Sequence, residues 1–169
     1  MPAKGQNGNN LQGDDGSYYC DAKKLGGSFC PEFDIMEASK YSWRTTAHTC
    51  EQDEHGFYSS CDSKGLAHDA DEWGNSDYGP SGGKINTPSF FHLKMDYCKS
   101  MLSGNFEGYD LHLSQSQFCT FTCKGSLKDT TTSYFKKLHK PLTDGMAFVF
   151  SNWGGESDDL TWLNHEKCN

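Results

Sequence analysis

The stretch Cys30-Pro31-Glu32-Phe33-Asp34-Ile35-Met36-Glu37-Ala38 decides how this chain is read, because three carboxylates fall within six residues of otherwise apolar, strand-like sequence. Side chains alternate between the two faces of a strand, so Glu32 and Asp34 share one face while Glu37, an odd number of positions from Glu32, points to the other. One extra, unpaired residue near Ile35 or Met36 reverses that outcome. A β-bulge there returns Glu37 to the face of Glu32 and Asp34, and bulges concentrate beside active sites. The two Glu backbones then stand roughly 13 Å apart, four strand steps of about 3.3 Å. Inward-leaning side chains can close that gap to the roughly 5 Å that separates the two carboxyls of a retaining glycosidase. One Glu would attack the anomeric carbon, the other would protonate the leaving oxygen, and the Asp between them would orient the nucleophile and help split the two pKa values. The spacing E-x-D-x-x-E leaves two other readings open: a calcium site of hard oxygen ligands, or a solvated face on an edge strand. Phe33, Ile35 and Met36 argue against a simple solvated face.

The rest of the chain bounds the setting. At 169 residues it is one domain or a large piece of one. A net charge of -8 gives no basic surplus to offset nucleic-acid phosphates or an anionic membrane, so neither is expected as a partner. The longest apolar run, Met146 to Phe150, is far short of the ~20 residues that span a bilayer. Residues 1–17 carry Lys4, Asp14 and Asp15 among Gly, Asn and Gln, and read as a disordered or loop tail rather than a secretory signal. Leu, Ile, Val and Phe make up only 26 of 169 residues, a level at which disorder becomes a serious reading. The 14% aromatic content opposes it. So do eight cysteines, an even count expected of an exported, disulfide-linked domain. Eight cysteines allow 105 pairings, so connectivity stays open. Zinc is the weaker alternative, since only Cys119-x3-Cys123 approaches the tight pairs of a zinc ribbon.

Organisation follows from punctuation and periodicity. Phe29 to Ala38, Ser89 to Met95, Tyr109 to Leu113 and Phe118 to Cys123 read as strands. Residues 50–83 read as a long loop region tied down by Cys50 and Cys61. Asp129 to Lys140 reads as one short helix ended by Pro141. Met146 to Asn152 is the strongest strand candidate, apolar on both faces, and is expected to form a hairpin with Leu160-Thr161-Trp162-Leu163 across Gly154-Gly155. The sum is an all-β jelly-roll sandwich with long cross-linked loops and one short helix. With one Val and two Ile, either aromatics do the packing or part of the core lies outside the chain, and the second is the expectation.

The acidic stretch also resembles the catalytic strand of the glycoside hydrolase family 7 cellulases. Other segments agree in order over residues 18–163. Tyr19-Cys20-Asp21-Ala22 is similar to that family's Tyr-Cys-Asp-Ala/Ser, and Ala47-His48-Thr49-Cys50 to its Pro-His-Pro-Cys. Gly145 to Trp153, then Leu160 to Leu163, resembles its Gly-Met-Val-Leu-Val-Met-Ser-Leu-Trp strand and following Trp-Leu. The resemblance implies Glu32 as nucleophile, Asp34 as its helper and Glu37 as acid/base, with His48 beside that acid. It implies Trp153 and Trp162 as stacking platforms for glucose rings, and Asp21 near the subsite next to the cleaved bond. Lys23 and Lys24 replace the family's Gln and Cys after Tyr-Cys-Asp-Ala, so subsite detail differs there. The family's leading and final strands have no counterpart, so the resemblance implies that residues 18–169 are the central part of a single catalytic domain.

The expected function is therefore retaining β-1,4-glucan hydrolysis by a secreted, extracellular monomer that acts on cellulose or a related polysaccharide and needs no cofactor or metal. Two alternatives remain. The bulged motif also suits the β-1,3-glucanases of family 16, and a non-hydrolytic carbohydrate-binding jelly roll would keep Trp153 and Trp162 while its acids held calcium or sugar hydroxyls. The seven histidines show no paired metal-ligand spacing. The acidic loop Asp62 to Asp77 is a further calcium candidate, and Trp43 and Trp73 are candidates to line or cap a cleft.

Overall fold

The computed structural model describes residues 3–13, 15–52, 54–74, 76–116, 119–124, 130–154, 160 and 163. Among the described residues, ten strands and one α-helix form in chain order. They are β1 (Glu32–Ala38), β2 (Trp43–His48), β3 (Cys50–Gln52), β4 (Tyr58–Cys61), β5 (Leu66–Asp69), β6 (Tyr78–Gly79), β7 (Ile85–Asn86), β8 (His92–Lys99), β9 (Phe106–Ser116), β10 (Cys119–Lys124) and α1 (Thr130–Asp144). One sheet has the order β1-β2-β5 and a second the order β10-β9-β8, all antiparallel, with β3-β4 and β6-β7 as small two-stranded additions.

The two larger sheets meet through aromatic rings. Phe33, on the inward face of β1, meets Tyr97 of β8 and Tyr109 of β9 edge-on, with centroids 5.7 and 5.0 Å apart. Helix α1 closes the same core, its Phe135 lying 5.3 Å from Phe106 and 5.8 Å from Tyr109. Phe106, Tyr109, Leu111 and Leu113 of β9 are all buried with Phe135, Leu138 and Trp43. Edge-to-face pairs add to the area these large rings bury, so aromatics supply packing that the few aliphatic side chains do not. Trp43 is fully buried and meets Trp73 edge-on at 4.8 Å, so it belongs to the core and lines no cleft.

Four readings of the sequence need correction. The region 50–83 is not a structureless loop, since β3 to β6 lie within it, and β2 was not foreseen at all. Pro141 does not end the helix: α1 continues to Asp144, where Pro141 is buried and Leu142 packs against the core. The stop comes at Gly145, which takes φ 98° while its amide donates to the Pro141 carbonyl. Residues 146–152 form no strand, and Phe148, Val149 and Phe150 stand exposed. Among the described residues no neighbouring strand takes up their backbone groups, and a strand exists only where a partner does. Of the second arm of the expected hairpin, the described Leu160 and Leu163 have helical rather than strand backbone, and Gly155 and Thr161 lie outside the described residues. Trp162 lies outside the described residues.

Candidate active site

The site is built on β1, and its cross-strand register settles the parity question. Glu32 faces His48, Asp34 faces Thr46 and Glu37 faces Arg44, so Ile35 and Met36 together oppose Thr45 alone. This is a β-bulge at the foreseen position. Directly opposed residues project to the same face of a sheet, and Arg44, Thr46 and His48 alternate along β2. Glu32, Asp34 and Glu37 therefore share the outer face of this sheet. Phe33, opposite Ala47, goes to the core, and Met36 packs against it. The bulge is held from across the strand pair, where the buried Thr45 hydroxyl donates to the Asp34 carbonyl at 2.9 Å.

Two disulfides frame this face. Cys20–Cys30 brings the segment after Cys20 against the start of β1: the Cys30 amide donates to the Asp21 carbonyl at 3.0 Å, and the Ala22 amide donates to Glu32 Oε2 at 3.1 Å. Asp21 is buried, and its Oδ1 accepts from the amides of Lys23 and Leu25. Its carboxylate thus shapes this turn, while its Oδ2 has no hydrogen-bond partner among the described residues. Cys50–Cys61 ties β3 to β4 just beyond β2 and sets Asp62 beside His48. His48 Nδ1 lies 2.8 Å from the Asp62 carbonyl, and Nε2 lies 3.1 Å from Asp34 Oδ2. A carbonyl only accepts, so Nδ1 carries a proton there. Cys98 is exposed and forms no disulfide among the described residues.

Burial and mutual repulsion set the charges. Glu37 is pushed up to about 7, first by burial and then by the Asp34 charge, with Lys23 pulling the other way. Glu32 is also raised, again by burial first and Asp34 second, while the Ala22 amide favours its anion. For His48, burial favours the neutral ring, but the bonds to Asp34 and the Asp62 carbonyl outweigh it, and its pKa is raised. Tyr19, to which the sequence reading assigned no role, belongs to this surface too. Its phenol is held well above its usual range by burial and by the charges of Asp21, Glu32 and Asp34. The signal available for it was its position one residue before Cys20, whose disulfide folds this segment back onto β1.

Ligand atoms of Glu32, Asp34 and His48 all lie within 4.8 Å of one another, the grouping among the described residues able to take a metal ion. Two carboxylates and an imidazole do not match the six to eight oxygens that calcium takes. The acids of the 62–77 loop are engaged locally, Asp69 with Arg44, Glu72 with His68 and Asp77 with Lys84. Among the described residues, no cluster of acids able to hold a metal ion forms in that loop. Trp153 is half exposed beyond the end of α1, at 49%.

The fold has counterparts among solved structures. A family 7 cellobiohydrolase from Daphnia pulex superposes with a TM-score of 0.61 at 20% identity, covering 80% of this chain and 40% of that one. A second structure, from a radiation-damage study of the Daphnia pulex family 7 cellobiohydrolase, gives 0.60 at 21% identity over 80% and 41%. The fold is that of part of a family 7 jelly roll. The chain spans about two fifths of the length of these enzymes. No protein-family model matches it. No helix among the described residues is long and apolar enough to cross a membrane.

Proposed function

We propose that the chain carries the catalytic strand of a retaining β-1,4-glucanase acting on cellulose or a related glucan. The observation that carries this reading is the bulge at Ile35–Met36, which gathers Glu32, Asp34 and Glu37 on one face while Glu37 stays protonated up to about pH 7. A general acid must hold its proton at working pH, and a carboxyl raised to about 7 suits Glu37 to that role. Glu32, whose anion accepts the Ala22 amide, is the nucleophile. In the first step a Glu32 oxygen bonds to the anomeric carbon as the glycosidic bond breaks, and the Glu37 proton goes to the leaving oxygen. In the second step Glu37, now a carboxylate, takes a proton from water, and that water displaces Glu32 with net retention. Asp34, held by His48, keeps Glu32 oriented. Asp21 and His48 border the sugar, and the half-exposed Trp153 offers a stacking face. The disulfides fit an oxidising, extracellular setting, and we assign the enzyme there as a monomer.

Reducing-sugar release from soluble cellulose and from laminarin is the test, comparing the parent chain with Glu32→Gln and Glu37→Gln. A rate that falls by about a thousandfold in each variant is expected, within the range that acid/base and nucleophilic groups supply. Equal rates for all three proteins remove catalysis by this strand. Faster release from laminarin moves the linkage to β-1,3.

A further inference from the structure

We propose that Tyr134 of α1 is a positioning residue for the acid-bearing face, clamping His48 in the ring orientation that supports Asp34. The Tyr134 hydroxyl oxygen lies 2.9 Å from the Ala47 carbonyl and 3.0 Å from Asp62 Oδ2, and the Thr49 amide donates to it across 3.4 Å. One hydroxyl therefore joins the residue before His48, the residue after it, and the side chain of the residue whose carbonyl meets His48 Nδ1. The other Asp62 oxygen is held by the amides of Lys64 and Gly65, each at 3.1 Å, which fixes the turn that presents the Asp62 carbonyl.

Gly65 supplies the second half of the clamp. A Cβ at that position would lie 2.7 Å from His48 Nδ1 and Cε1 and 2.5 Å from the Thr46 methyl, and the backbone there has φ +67°. The ring is thus seated against bare backbone on one side and tied through Asp62 to α1 on the other, with little freedom to turn. His48 Nε2 is then presented to Asp34 Oδ2. A ring free to rotate would surrender that bond and loosen the carboxylate beside Glu32. Helix α1 reaches the site through this hydroxyl, 72 to 87 residues along the chain, while its Phe135 anchors the core.

The inference rests on the glucanase reading for its catalytic consequence, so the test has a readout independent of turnover. Tyr134→Phe keeps the ring and its packing and removes only the hydroxyl. In the 15N-labelled chain, the His48 ring signals are assigned by their loss in His48→Asn, and Nδ1 proton exchange is then measured. We expect Tyr134→Phe to speed that exchange about tenfold and to lower kcat on soluble cellulose about tenfold, with KM within twofold of the parent. Unchanged exchange overturns the clamp, and faster exchange with unchanged kcat overturns its catalytic consequence. If the parent chain hydrolyses neither glucan, the glucanase reading fails and the exchange measurement alone decides the clamp. Gly65→Ala, which leaves the hydroxyl in place and crowds the ring from the other side, is expected to displace the same His48 signals; their persistence at parent positions also overturns it.

Discussion

Residues 29–38 and residues 146–152 both read as strands in sequence, yet one is the structural centre of the molecule and the other is an exposed apolar run. β1 interrupts its apolar pattern with three acids and still forms seven residues of strand, because β2 supplies partners from His48 to Trp43 and the core receives Phe33. Met146-Ala147-Phe148-Val149-Phe150 has the better β composition, but Phe150 is 88% exposed and no described strand lies beside it. A helix satisfies its own backbone, as α1 does. A strand borrows its hydrogen bonds and its burial from neighbours, so propensity without a partner decides nothing.

The contrast is sharpest in a pair of truncations. Phe106→Ala should destabilise the fold by about 3–5 kcal/mol, because the ring is fully enclosed among aromatic neighbours. Denaturant unfolding measures it, and a loss below about 1 kcal/mol would mean that the two sheets do not share this core. Next in size, replacing Cys50 and Cys61 together by Ser should cost about 2–4 kcal/mol. It should also free the turn that holds Asp62 against His48, which unfolding and the His48 ring signals would both report.

A smaller effect concerns pH. Glu37 has a folded pKa raised from 4.5 to about 7, so the folded state holds its proton where the unfolded chain has released it. Its stabilising contribution is complete below about pH 4.5 and is lost as pH rises through about 7. The group is partly open to solvent, and after screening the effect is on the order of 1 kcal/mol. Glu37→Gln should therefore flatten the stability profile between those limits, and a parent and variant with parallel profiles would contradict the raised pKa. The smallest change is expected in the other region: Phe150→Ala should alter stability by less than about 0.5 kcal/mol. A larger loss would show that the 146–153 run is packed after all.

Much of the site was legible because its signal is local. Three acids at fixed spacing, with Phe33, Ile35 and Met36 between them, required a bulge to act together, and the bulge lies where parity demanded it. The helix and the strands β1, β8, β9 and β10 carried recognisable patterns. β2 escaped because Trp-Arg-Thr-Thr-Ala-His hides its alternation: Thr45, Thr46 and His48 are all buried although their side chains project to both faces. Tyr19 and Tyr134 escaped for a different reason, since neither has a neighbour in sequence that announces its partner in space.

Composition, acid spacing and cysteine content by themselves determined that this is a cross-linked β protein with one acid-bearing strand, because those properties depend on residue type and short-range periodicity. Only the tertiary structure decided which cysteines pair among the described residues, which strand-like runs become strands, and that a helix hydroxyl and a bare glycine enclose His48. Those outcomes rest on contacts between residues far apart in the chain, where the energy of each segment is set by what packs against it.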